Sequence, residues 1–406
     1  MEFKKKSFSF DDGAPIDDGV RVSEVLTLVN KHQSYSDFYK LLEIENIKDD
    51  FINIPGAARL VSSLKSINKK FEKFDIESSY QDMEFDRSND FAITFKNIDD
   101  PIANAIIESD ELTAKPIYSA RSDFFGGLFN MDKYAETLLK EDLRHLVNSN
   151  LKSIQSILNE RHVKNKKYRI LLDTDGNYYL RAITSKRYYD YNNNIAVFVG
   201  LIMLHKEMSS SQNKFVVSRC EYNESYVRVY FENTQKKQLP NVGYINNIIE
   251  VSNDEVKREA LRFSSVISIS YGSTNDVDNY IYIKPERTKA NILSIKHSVL
   301  PATAFRDLAS LANYKAIQDE LFDDLKKIGD IKKPSQIKFL IINKIKRAKA
   351  GELKKNKANI LSQLTDEVKT ITQLLEMMNK IELLAEDIDS KEYLRYIVYE
   401  ALVEKK

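Results

Sequence analysis

Residues able to meet a polyanion are concentrated in one short stretch, Lys166 to Tyr189. There Lys166, Lys167, Arg169, Arg181, Lys186 and Arg187 alternate with Tyr168, Tyr178, Tyr179, Tyr188 and Tyr189. Cations of this kind neutralise phosphates while aromatic rings stack on bases, the combination a single-stranded nucleic acid needs. A second concentration runs from Lys326 to Lys357, where twelve basic residues face only Asp330 and Glu352, a net charge of +10 in a chain whose formal net charge is +1. Lys344, Lys346 and Arg347 within it are candidate phosphate partners through a term without sequence specificity. The full candidate set is therefore Lys166, Lys167, Arg169, Arg181, Lys186, Arg187, Tyr188, Lys344, Lys346 and Arg347.

Other chemistries find less support. His32, His145, His162, His205 and His297 are scattered, with none at helical ligand spacing from another. The run Asp173-Thr174-Asp175-Gly176 opens like a calcium loop, but Thr184 stands where a later acidic ligand is required, so a hairpin turn is expected. The carboxylate pairs Asp49-Asp50, Asp99-Asp100 and Asp323-Asp324 read as turns and solvated faces. Gly126-Gly127 and Gly272-Ser273 lack the residues of a phosphate loop. Ser185, Ser298 and Cys220 have no recognisable base partner. No catalytic residue, metal or cofactor is assigned. The single cysteine precludes an intrachain disulfide and a CxxC pair.

The elements that must position these residues come from a chain of 406 residues, whose 42% hydrophobic and 30% charged content can bury a substantial core. The opening MEFKKKSFSF has no continuous apolar segment of the signal-peptide kind. Ile195 to Leu204 is the most apolar run. At ten residues it is too short to cross a bilayer and reads as a core strand or buried helix. Helical spacing appears over Val22 to Ile44 with a break near His32 to Ser36, over Ala58 to Ile67, and over Asn130 to Arg161 with Asp132 as a cap. Strands are expected near Asp90, on both sides of Asp175-Gly176, and at Lys214–Val217, Tyr226–Phe231, Val266–Ser270 and Asn279–Ile283.

After Pro301 helices return. They include one opened by Pro334 and continuing through Phe339, Ile342 and Ile345, a heptad seam from Leu361 to Met378, and a last helix over Lys391 to Val403. The expected fold is α+β: an antiparallel or mixed sheet covered by helices, then a basic helical C-terminal region. The segments would be an N-terminal helical and extended region (1–130), a central α+β domain (131–300) and the helical region (301–406). The seam suits packing on the body or pairing with a second copy.

The segment LRAITSKRYYDYNN resembles the family called domain of unknown function 932, phage- and plasmid-borne proteins. Leu180, Arg181, Ala182, Ser185, Arg187, Tyr188, Asp190 and Asn192 match that family's pattern in order. Ile267 to Ile283 is partly similar to its strand–turn–strand segment, and Arg287 and His297 stand where later basic positions fall. The family's Cys-Thr-Asn-Gly segment is absent here. The resemblance implies a mobile-element protein that handles DNA or counters a host system, with Arg181, Arg187 and Tyr188 as ligand contacts. The expected function is a non-enzymatic, nucleic-acid-associated protein binding single-stranded DNA in the cytoplasm of a bacterial host. A structural or virion-associated protein and a metal-dependent enzyme with a dispersed carboxylate site are the alternatives.

Overall fold

The computed structural model describes residues 6–9, 16–79, 82–85, 91–160, 166–257, 259–271, 279–305, 314–349, 353, 356–385 and 388–403. His162, Gly272-Ser273, Lys354 and Lys355 lie outside them.

The expected α+β architecture is present. Sixteen strands occur among the described residues. β1 (Lys6–Ser9) belongs to a large sheet discussed below, and β2 (Val20–Arg21) pairs with β3 (Phe51–Ile52) in a two-stranded ribbon. A six-stranded sheet follows, made of β4 (Phe71–Ser78), β5 (Met83–Phe85), β6 (Ile93–Phe95), β7 (Leu112–Pro116), β8 (Lys166–Asp173) and β9 (Tyr178–Thr184). Its order is β4-β8-β9-β7-β6-β5, and it is mixed because β7 and β9 run parallel while the other neighbours are antiparallel.

One side of this sheet is apolar. Phe74, Ile76, Phe95, Ala114, Tyr168, Ile170 and Leu180 form a core with Phe124, Phe125 and Phe129 and with Val147 and Leu151 of the helix Arg144–Glu160. That core draws on residues on both sides of position 130. The single helix expected over Asn130 to Arg161 is two, Asp132–Lys140 and Arg144–Glu160, because Asp142 at φ +58° turns the chain between them. Met131, not Asp132, occupies the N-cap position.

The second sheet has eight strands. β10 (Phe215–Tyr222), β11 (Tyr226–Asn233), β13 (Gly243–Asp254), β14 (Leu261–Tyr271) and β15 (Tyr280–Ile283) continue from β1, while β12 (Lys237–Leu239) pairs with β13 and β16 (Asn291–Ile295) with β14. All its pairings are antiparallel. The apolar run anticipated as a strand or a buried helix is the helix Asn193–Ser210. Asn192 caps it through a side-chain oxygen that accepts from Ile195 N. Over residues 195–204 it is apolar on every side, as a helical stretch enclosed by protein must be, whereas Ser209 and Ser210 at its end are exposed. Val227, Val229, Phe231, Ile249 and Val251 pack on it. The approach is close at Gly200, where an added Cβ would stand 3.4 Å from Val251 Cγ2. Among the described residues no helix is long and apolar enough to cross a membrane.

The C-terminal region is mainly helical. Ile267, Ile269, Ile281 and Ile283 of the large sheet share a core with Leu325, Ile341, Ile345, Leu375, Met378 and Leu394. The heptad seam is not one helix: Lys357–Ser362 and Ile371–Leu384 are separated by non-helical chain, and Leu364, Val368, Leu375 and Met378 are buried in the protein's own core. Of the two roles its spacing allowed, those residues take the packing on the body. Thr370 and Gln373 form a capping box that starts the second helix.

A buried ionic cluster fastens the last helix, Ile388–Val403, to the sheet. Arg395, 1% exposed, donates to Glu382 and to Tyr230 Oη and stacks over Tyr282. Lys284 reaches both Glu250 and Glu392.

Candidate functional site

The first basic and tyrosine-rich stretch is folded into a junction between the two sheets. In β9 Arg181 is 0% exposed and donates through Nη1 to Ser225 Oγ (3.2 Å) and Glu255 Oε2 (2.7 Å). In β8 Arg169 is buried too, bonded to Asp75, to Asp190 and to the Glu255 carbonyl. The sequence placed both arginines on a solvent-facing surface, and the structure corrects this: each lies inside, paired to carboxylates.

Glu255 is the hub. Besides Arg181 it accepts from Lys73 Nζ (2.8 Å) and from Asn193 N (2.9 Å). Its carboxylate therefore occupies the positive N-terminal end of the Asn193–Ser210 helix, which would otherwise suit an external anion. Burial opposes charge on Glu255, but Lys73, Arg181 and Arg169 overcome it and lower its pKa. Asp190 is likewise held well below the usual carboxylate range, since Arg169 and His32 outweigh burial.

Beside this hub Tyr188, His297 and Asn253 form a chain. Asn253 Nδ2 donates to Tyr191 O, so its Oδ1 faces His297 Nε2 at 3.1 Å. That places the imidazole proton on Nε2 and leaves Nδ1 to accept from the Tyr188 hydroxyl. Burial, assisted by Arg169, pushes the His297 pKa down to about 4. Burial also raises Tyr188, so its hydroxyl stays protonated. A neutral histidine bonded to an un-ionised tyrosine orders the junction and supplies no phenolate.

The rest of the stretch is little freer. Lys167 donates to Tyr188 O and lies 3.9 Å from Asp75. Lys166 is half-buried. Lys186 is exposed but paired with Glu77 at 2.6 Å. Arg187 is exposed. Tyr168, at 1%, is core. Alternation along β8 sends Tyr168 and Arg169 to opposite faces, both of them covered, whereas Lys186 and Arg187 lie in the turn after β9.

Other sequence signals resolve into structural roles. Asp173 Oδ1 accepts from Asp175 N and Asn177 N, and Gly176 adopts φ +80°, so the DTDG run is the β8–β9 turn. Asp50 meets His205, Asp100 caps the helix Pro101–Ile107, and Asp323 pairs with Lys326. Among the described residues no group of three His, Cys, Asp or Glu could hold a metal ion. Cys220 is buried, and its thiol is raised by burial.

The second stretch is arranged differently. The helix Pro334–Arg347 turns Pro334, Ile337, Ile341 and Ile345 inward. Phe339 is 62% exposed, because at about 3.6 residues per turn it falls on the side of the helix opposite Ile337, Ile341 and Ile345. Lys346 and Arg347, two turns beyond, are exposed as well, as are Lys332 and Lys333 just before the helix. From 331 to 351 the sequence has no acidic residue. Lys344 is paired with Glu400 at 2.6 Å. Lys338 donates to Asp366 O, and Lys357 caps the helix end by donating to Lys346 O (2.7 Å) and Ala348 O (2.9 Å).

In comparisons with protein-family models, curated proteins and solved structures, nothing matches the chain.

Proposed function

We propose that this is a non-enzymatic, nucleic-acid-associated protein that binds single strands through the outer face of the helix Pro334–Arg347. The observation that carries the reading is Phe339, a large ring 62% exposed on a helix whose solvent side otherwise ends in Lys346 and Arg347. A ring free on one face can stack on an unpaired base, while the cations that follow neutralise neighbouring phosphates. The resemblance of Leu180 to Asn192 to the phage- and plasmid-borne family supports a mobile-element origin and action in the cytoplasm of a bacterial host. The matching residues Arg181, Tyr188 and Asp190 then serve to build the sheet junction, and the ligand meets the protein elsewhere.

Fluorescence anisotropy of a labelled single-stranded oligonucleotide, titrated at several salt concentrations, tests this. The expected result is binding that weakens steeply with salt and loses a further increment when Phe339 becomes Ala. Absent or salt-insensitive binding to single and double strands alike would overturn it.

A further inference from the structure

A second group of cations stands beside the start of the proposed binding helix, although part of it lies about ninety residues earlier in the chain. Phe322, on the helix Tyr314–Lys326, has the ammonium of Lys237 at 4.9 Å from its ring centroid and that of Lys326 at 4.8 Å. Lys237 belongs to β12, and the adjoining Lys236 is exposed. The turn that follows β12 is locked to the short helix Lys327–Asp330: a Cβ on Gly329 would stand 2.4 Å from the Pro240 carbonyl oxygen. Only a glycine permits that approach. The helix Pro334–Arg347 begins five residues later, with Lys332 and Lys333 exposed between. Lys237 has Asp319 at 3.3 Å and Lys326 has Asp323 at 2.7 Å. Both pairs are open to solvent, and surface pairs of this kind contribute little, so a phosphate can displace the carboxylates.

We infer that Lys236, Lys237 and Lys326 are a second docking point for the same single strand, which crosses the β12 turn and then follows the helix past Phe339 to Arg347. This rests on the function proposed above and specifies its ligand as a strand long enough to reach both points. The ring of Phe322 is attended by two ammonium groups and fixes them; base stacking falls to Phe339 alone. Fourteen helical residues span about 21 Å at roughly 1.5 Å per residue. At about 3.4 Å per phosphate, the spacing of one strand within a duplex and therefore the shortest an extended single strand adopts, that length corresponds to at most roughly six nucleotides. An oligonucleotide much shorter than this engages one point, and a longer one gains the second as an intramolecular step.

The test compares oligothymidylates of roughly four and roughly twelve nucleotides on the whole protein and on the triple variant Lys236→Gln/Lys237→Gln/Lys326→Gln. Its unchanged unfolding midpoint serves as the folding control. The expected result is that the variant loses the advantage of the long strand, on the order of tenfold or more at physiological salt, and binds the short one as the parent does. Equal affinity of parent and variant for the long strand would overturn the inference. If Phe339→Ala still weakens binding in that case, the interface ends at the helix and the broader function stands. If Phe339→Ala has no effect either, that function falls too. Poly-glutamate displacing the long strand as effectively as unlabelled oligonucleotide would also overturn the inference, by assigning the cations to an acidic protein partner.

Discussion

The β8–β9 stretch and the Pro334–Arg347 helix look alike in composition, each mixing lysine, arginine and aromatic residues, yet one is the inside of a junction and the other an outer face. In the first, Arg169 and Arg181 are buried against Asp75, Asp190 and Glu255, supplied by three other segments. In the second, no acidic residue lies between 331 and 351, and within the helix Lys344 is paired with Glu400. Charge composition shows that cations are present; whether they reach solvent depends on which residues the fold sets opposite them. A strand between two packed layers has both faces covered, whereas a helix lying on a core keeps one side free.

The largest effect expected from this contrast is at Arg181. Replacing it with Ala leaves the Glu255 carboxylate buried with one partner fewer, which should destabilise the protein by roughly 3–5 kcal/mol in chemical unfolding. A loss below about 1 kcal/mol, the range of an exposed pair, would contradict its burial.

Next in size is a pH dependence. His297 remains neutral in the folded protein down to about 4, while the unfolded chain takes up a proton below about 6.5. The unfolded state therefore binds more protons between these values. Stability should be flat above about pH 6.5 and fall by on the order of 3 kcal/mol as the pH drops towards 4. Below that, protonation of Asp190 and Glu255, whose folded pKa values are depressed, removes more. His297→Gln should abolish the upper part of the slope in thermal unfolding followed against pH. A slope retained in full would place the titrating group elsewhere.

A smaller change is expected for Phe339→Ala, about 1–3 kcal/mol in single-strand affinity from the removal of one stacking ring. Stability should hardly move. The smallest effect on folding belongs to Lys346→Gln/Arg347→Gln, within about 0.5 kcal/mol of the parent because both side chains are exposed. A large destabilisation there would erase the distinction between the two regions.

How legible this is in the sequence differs by element. YVRVYF and NYIYI alternate cleanly and are strands, and Asp175-Gly176 is the turn it resembles. The longest strand, β13, carries no such signal: Asn246, Asn247, Glu250, Ser252 and Asn253 are polar yet buried, so its alternation is hidden. Glu255, the centre of the junction, follows directly on that strand. Its partners Lys73, Arg181 and Asn193 are 60 or more residues away, and nothing local to Glu255 marks it as their meeting point. The face that Phe339 takes is not legible from residue type, because an aromatic residue near Ile337, Ile341 and Ile345 fits an apolar pattern as readily as an outer one. Only the angular position relative to those three separates the cases.

Salt dependence of single-strand binding, measured side by side for Lys346→Gln/Arg347→Gln and Lys186→Gln/Arg187→Gln, tests the contrast most directly. If the helix is the interface, the first pair lowers the slope of log K against log salt by about 1.4, near 0.7 for each phosphate no longer neutralised, and the second leaves it unchanged. A slope reduced only by the Lys186/Arg187 pair would put the ligand on the sheet junction and contradict the account.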